Sequence, residues 1–161
     1  MVHTVGFVQN YVFSKYQKAL RNYKSTHIQY QIPKDYLNKV NIVSTMPTLV
    51  IIAEQSPEQN LFLHKILASV QLVDQQNTCI EILKKDQVLN FNQLKLKSTQ
   101  EIILFGIEPN QFMLNGFELK HHIYEFEGLK WLFCYEIQTY QIDETKKRQL
   151  WNALKTLKQL K

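Results

Sequence analysis

The chain has 161 residues, of which 45% are hydrophobic and 20% charged, the proportions of an ordinary globular protein with a substantial core. Its longest uncharged apolar stretch, residues 42–53, is broken by Ser44, Thr45, Pro47 and Thr48. It falls short of the roughly 18 residues of a membrane span, and the N-terminus carries no cleavable signal pattern. The net charge of +5 is unevenly spread: residues 1–39 hold six Lys/Arg against one Asp, 40–142 seven against eleven acids, and 143–161 six against two. A mildly acidic body between two basic ends suits an anionic partner touched by the termini, and equally suits lysines that solubilise exposed helix faces.

In chain order, Val5, Val8, Val12, Tyr16, Ala19 and Tyr23 recur near a 3.6 period and predict a helix over 5–23. Within it Phe13, Tyr16, Leu20 and Tyr23 stand at i, i+3, i+7 and i+10, amid Lys15, Lys18, Arg21 and Lys24. Aromatic anchors among basic residues are a helix-in-groove pattern, and Phe13, Tyr16, Leu20, Tyr23, Lys15 and Arg21 are the candidate partner-binding residues. The same stripe would also suit packing on the chain's own sheet. Ile28, Tyr30 and Ile32 alternate up to Pro33, as in an edge strand, and a connector with one helical turn at 35–39 follows. The expected organisation is an N-terminal basic and aromatic segment over 1–40 and an α/β/α domain over 41–161.

That domain begins with the continuous apolar run 49–53, typical of a strand buried on both faces of a parallel sheet. Ser56, Pro57 and Gln59 spell a helix start, with Ser as N-cap, Pro at the first position and Gln closing a capping box. Leu63, Ile66, Leu67 and Val70 form its buried stripe, with Phe62 at the edge. Strands are expected at 78–83 and at 101–105 ending in Gly106, with a short helix at 91–96 between them. Residues 107–116 read as a loop with a turn of helix after Pro109. Residues 121–126 and 129–135 read as a hairpin about Glu127-Gly128. Asp143 then caps a final helix that buries Leu150, Trp151, Leu154 and Leu157 and exposes Lys147, Lys155 and Lys158. Strands alternating with helices argue a three-layer α/β/α sandwich around a mostly parallel sheet.

Chemical motifs are sparse. The turn at Glu54-Gln55-Ser56-Pro57 has no glycine with which to cradle a phosphate, and no Walker or dinucleotide fingerprint occurs. Ser56 lacks the flanking glycines of a nucleophile elbow and reads as a cap, and Glu54 as a solvated carboxylate. His121 and His122 are adjacent on an expected strand and so face opposite ways, and His64 has no partner one helical turn on. No Cys/His spacing of a zinc site is present. Cys79 and Cys134 lie far apart in apolar runs and read as separate reduced thiols of a cytoplasmic protein.

The strand–turn–helix, taken with the C-terminal "IDETKKRQLWNALKTLK", resembles the uracil-DNA glycosylase superfamily. Chains of that superfamily often end in an Asp/Pro-rich turn, a Lys-Arg-x-x-Trp helix start and an amphipathic helix. The matching residues are Asp143, Lys147, Arg148, Trp151 and Leu154, and 53–57 stands in the place of the first active-site loop. The resemblance covers residues 45–161. Active members carry a water-orienting Asp or Asn in the first loop and a His-Pro-Ser-like loop before the last helix. Here those places hold Glu-Gln-Ser-Pro and, at 139–142, Thr-Tyr-Gln-Ile. The resemblance therefore implies a non-catalytic relative with no cofactor or metal, similar to the psi-like subunits of the bacterial DNA polymerase III clamp-loader complex. Such a subunit bridges the clamp-loader ATPase, through an N-terminal peptide, to a chi-like subunit that contacts single-stranded-DNA-binding protein. The competing expectations are a diverged DNA glycosylase with Glu54 as general base, and a small nucleic-acid-binding module acting through its basic ends.

Overall fold

Six residues, Thr48–Ala53, form the strand around which the domain is built, and all but the last are buried. The structure, a computed structural model, describes residues 41–84, 89, 94–112, 114 and 116–160. The expected helix at 5–23, edge strand at 27–32 and helical turn at 35–39 lie outside those residues, as does Phe91 of the expected short helix.

Seven strands are present among the described residues: β1 (Ile42–Ser44), β2 (Thr48–Ala53), β3 (Thr78–Leu83), β4 (Leu94–Leu96), β5 (Glu101–Phe105), β6 (Ile123–Phe126) and β7 (Leu129–Cys134). Five make one sheet in the order β3-β2-β5-β7-β6, in which β2 pairs in parallel with β3 and β5, and β5 with β7. Only β6 runs antiparallel, against β7. Their turn has Glu127 at φ +52° and Gly128 at φ +73°, both left-handed as a two-residue hairpin of matching twist demands. The fold is thus α/β with a mostly parallel central sheet.

Among the described residues three α-helices follow strands of this sheet. In α1 (Pro57–Ser69) the Ser56 hydroxyl accepts from the Gln59 N–H at 3.3 Å, and Gln59 Oε1 accepts from the Ser56 N–H at 2.9 Å, closing the expected capping box. Helix α2 (Ile137–Ile142) runs through residues expected to be a loop, and it buries Ile137 and Tyr140. With fewer than two turns it offers too little periodicity to reveal itself in sequence. Asp143 closes α2, its N–H donating to the Thr139 carbonyl, and opens α3 (Glu144–Leu157), its carboxylate accepting from the Lys146 N–H at 3.0 Å.

Alternation along the strands sends side chains into two cores. Val50, Ile52, Ile103, Phe105 and Leu132 face α1, α2 and α3, where Leu63, Leu67, Tyr140, Leu150 and Leu154 meet them. Leu49, Ile51, Ile102, Leu104, Trp131 and Phe133 face the other way. Among the described residues that second face is covered by no α-helix. Ile42, Leu89, Ile107 and Leu114 lie against it, with Leu94, Leu96 and Phe117. Strands β1 and β4 form a two-stranded parallel ladder, where a connector and a short helix were expected. Leu94 and Leu96 turn inward and Lys95 outward, a period of two that three residues cannot distinguish from a helical turn. The expected helical turn after Pro109 is a 3₁₀ helix, Pro109–Phe112.

Two corrections concern α3. Leu150, Ala153, Leu154 and Leu157 are buried, but Trp151 is 44% exposed, with the Lys155 ammonium 4.4 Å from its ring centroid. One step of about 100° takes position 151 off the stripe that position 150 occupies. Lys158, expected at the surface, is half-buried. Its Nζ lies 2.8 Å from Glu101 Oε2, which also accepts from the Thr48 hydroxyl at 2.9 Å, so the cation ties the end of α3 to β5 and β2. No helix of the described residues is long and apolar enough to cross a membrane.

Leu154→Ala should therefore cost about 2–5 kcal/mol by leaving a cavity under the sheet. Trp151→Ala should cost far less, because much of its ring is already in water. Chemical denaturation of the two variants beside the unchanged protein checks the order; equal losses would put Trp151 back in the core.

Candidate functional site

In open α/β sheets the crevice beyond the carboxyl ends of the strands, where the winding reverses, is the preferred ligand position. Here the reversal falls between β2 and β5. A recess of about 230 Å³ lies there, lined by Glu54, Gln55 and Gln59 after β2, Gly106 after β5, and Glu136 and Gln138 after β7. Two of its polar side chains, Gln55 and Gln59, are engaged with residues at the start of α1. Ser56 and Gln59 cap α1, and the Gln55 amide donates to Asn60 Oδ1 at 2.7 Å. Gly106 has φ +68°, and a Cβ there would meet Glu136 Cγ at 2.9 Å, so glycine is required both for the turn and for the approach of β7's exit. Glu54 and Glu136 are exposed carboxylates, and among the described residues no histidine, lysine or arginine lines the recess. The turn after β2 thus anchors a helix and offers neither a cationic clamp nor an imidazole.

A second cluster joins β7 to α2. His121 lies outside β6, in a turn at φ +62°, and its N–H donates to the Phe133 carbonyl at 2.9 Å. Its Nε2 is 2.7 Å from the Tyr140 hydroxyl, which also accepts from the Tyr135 N–H at 2.7 Å. Burial, with Lys120 and then Lys146 nearby, holds the imidazole below its ordinary pKa. Burial pushes the Tyr140 hydroxyl up, so it stays protonated beside the neutral ring. The expectation that His121 and His122 alternate along a strand is corrected. His121 packs on Tyr135 and Tyr140, while His122 packs its ring against Tyr124 with centroids 4.6 Å apart. No group of three or more His, Cys, Asp or Glu that could hold a metal occurs among the described residues. Cys79 and Cys134 are both free thiols.

A third feature is a groove of about 480 Å³ between α1 and α3. Phe62, Ile66, Leu150 and Trp151 supply apolar surface, and Lys65, Lys147 and Arg148 are the cations along it. The Lys147 ammonium stands 5.9 Å from the Phe62 ring centroid and 3.0 Å from Glu144 Oε1.

Of the residues singled out in the sequence, Lys147, Arg148 and Trp151 meet in this groove, Asp143 caps α3, and Leu154 is buried in the core. The candidate partner-binding residues Phe13, Lys15, Tyr16, Leu20, Arg21 and Tyr23 lie outside the described residues. The groove itself was missed, although Phe62, Lys65, Ile66 and Ser69 stand at i, i+3, i+4 and i+7, one face beside the buried stripe. No family model matches the chain, and no curated protein matches it significantly.

The depressed pKa of His121 makes a signed prediction. Above the ordinary imidazole value of about 6.5 the ring is neutral folded or unfolded; below it the unfolded chain takes up the proton more readily. Stability should therefore fall as the pH drops through the low sixes. His121→Asn, which tolerates the left-handed backbone, should flatten that part of the melting-temperature profile. A profile of unchanged slope would show that the imidazole is not held neutral.

Proposed function

We propose that this protein is a non-catalytic adaptor of the bacterial replisome, similar to psi-like subunits and built on a uracil-DNA-glycosylase-like scaffold. The observation that carries the reading is the turn at 54–57. At the position where an α/β fold would hold its reacting group, Ser56 and Gln59 satisfy each other and the first turn of α1. Water activation needs a positioned acid or base, and leaving-group stabilisation needs donors aimed at the developing charge; neither is supplied by this capped turn. Support for the scaffold comes from the parallel order β3-β2-β5-β7, with the first long strand near the centre and the amphipathic α3 closing the chain on the sheet. Two free thiols suit a cytoplasmic setting.

In this reading the basic, aromatic N-terminal segment engages the clamp-loader ATPase, and the α/β body engages a chi-like subunit. Mixing the full chain with each purified subunit and separating the products by size tests it. The expected result is a complex with each, and Phe13→Ala with Tyr16→Ala should loosen only the ATPase complex. Release of uracil from uracil-containing DNA, lost in Glu54→Gln, would instead establish a glycosylase. A steeply salt-dependent shift of bare DNA without either protein complex would establish a nucleic-acid-binding module.

A further inference from the structure

We propose that the groove between α1 and α3 is the docking site for an acidic amphipathic helix of a partner protein, an assignment that rests on the adaptor reading and names the chemistry of one partner. The groove has two walls of helix and an apolar lining to which both contribute, Phe62 and Ile66 from one side and Leu150 and Trp151 from the other. An inserted helix presents apolar side chains at i, i+3, i+4 and i+7 to such a surface. The surrounding charge selects its polar face. Lys65 and Arg148 form no ion pair with any described residue, and Lys147 shares its charge with the exposed Glu144 alone. Lys155, on the next turn of α3, adds a fourth cation at the Trp151 ring. Carboxylates flanking the apolar anchors would meet this rim, and an exposed Trp beside an Arg is the usual composition of an interface hot spot.

The same charges argue against other occupants. Residues 1–39 of this chain carry six Lys/Arg and one Asp, so that segment has the groove's own sign. A single strand of nucleic acid would suit the cations, but it stacks its bases on open aromatic faces. Lys155 stands 4.4 Å over the Trp151 ring, and Ile66 and Leu150 offer methyl groups instead of a ring.

The test uses the full chain and a fluorescein-labelled peptide of about 16 residues, long enough for a marginal helix. The peptide carries Leu and Phe at the groove-facing positions and Glu at the others. Binding should raise the peptide's anisotropy, weaken with salt and shift Trp emission to the blue, because Trp151 is exposed and Trp131 already buried. Arg148→Glu and Trp151→Ala should each weaken binding about tenfold, the scale of one lost hot-spot side chain. Lys95→Glu with Lys97→Glu, a charge change on the other side of the sheet, should leave it unchanged. Equal binding by the groove variants, or by a peptide with Lys in place of Glu, overturns the assignment. So does stronger competition by oligothymidylate, or self-association of the chain that Arg148→Glu dissolves. Capture of the purified clamp-loader and chi-like subunits without peptide binding overturns the groove alone. Peptide binding with neither subunit captured supports the groove and overturns the replisome partners.

Discussion

Parallel pairing of β2 with β5 is the constraint on which the rest of the structure depends. Val50 lies opposite Ile103 and Ile51 opposite Leu104, so each pair of neighbours feeds the same face. A slip of one residue would exchange the two faces and offer each core the side chains shaped for the other. With the register held, one face receives all three helices and the other receives the β1/β4 ladder and the segment around Ile107 and Leu114. The carboxyl ends of both strands then arrive together, bringing Glu54 and Gly106 to the same recess.

That arrival places the start of α1 at the recess. A helix beginning directly after a central strand must satisfy free N–H groups within a few residues of the sheet, and Ser56 with Gln59 does so reciprocally. Polar side chains at the most favourable ligand position are thereby employed in holding α1. The groove proposed for recognition lies instead between α1 and α3. The C-terminal cations divide by role. Lys158 turns inward to Glu101, Lys146 stays with Asp143, and Arg148 and Lys155 stay outward beside Trp151.

The features legible in sequence are those in which a local rule and the tertiary structure ask for the same residue. Ser56-Pro57 with Gln59, Glu127-Gly128 and Asp143 are each fixed by backbone geometry within four residues, and the apolar run from Leu49 to Ala53 fits only a doubly covered strand. What escaped were features decided by distant partners. Ile42 and Leu94 are far apart in the chain and make a ladder only because the sheet offers both an apolar face. Hydrophobicity alone places Trp151 in the core, whereas its angular position on α3 governs. Lys158 reads as solvated in the sequence because its partner, Glu101, is 57 residues away. His121 reads as a strand residue, since its hydrogen bond to Tyr140 depends on α2, an element too short to announce itself.

The two thiols sit on opposite sides of the sheet and at different depths, and this makes the molecule its own opening gauge. Cys134, the last residue of β7, is fully enclosed beneath the helical layer, and burial raises its pKa. Cys79, on the outer strand β3, is only half-buried; burial first, then Glu81 and Asp74, hold its proton on. An alkylating reagent reacts with thiolate, so it would reach Cys79 through small edge motions and Cys134 only when the helical layer lifts from the sheet. Chains carrying one label and chains carrying two would then differ in mass. Their ratio over time would distinguish fraying of the sheet's edge from lifting of the helical layer.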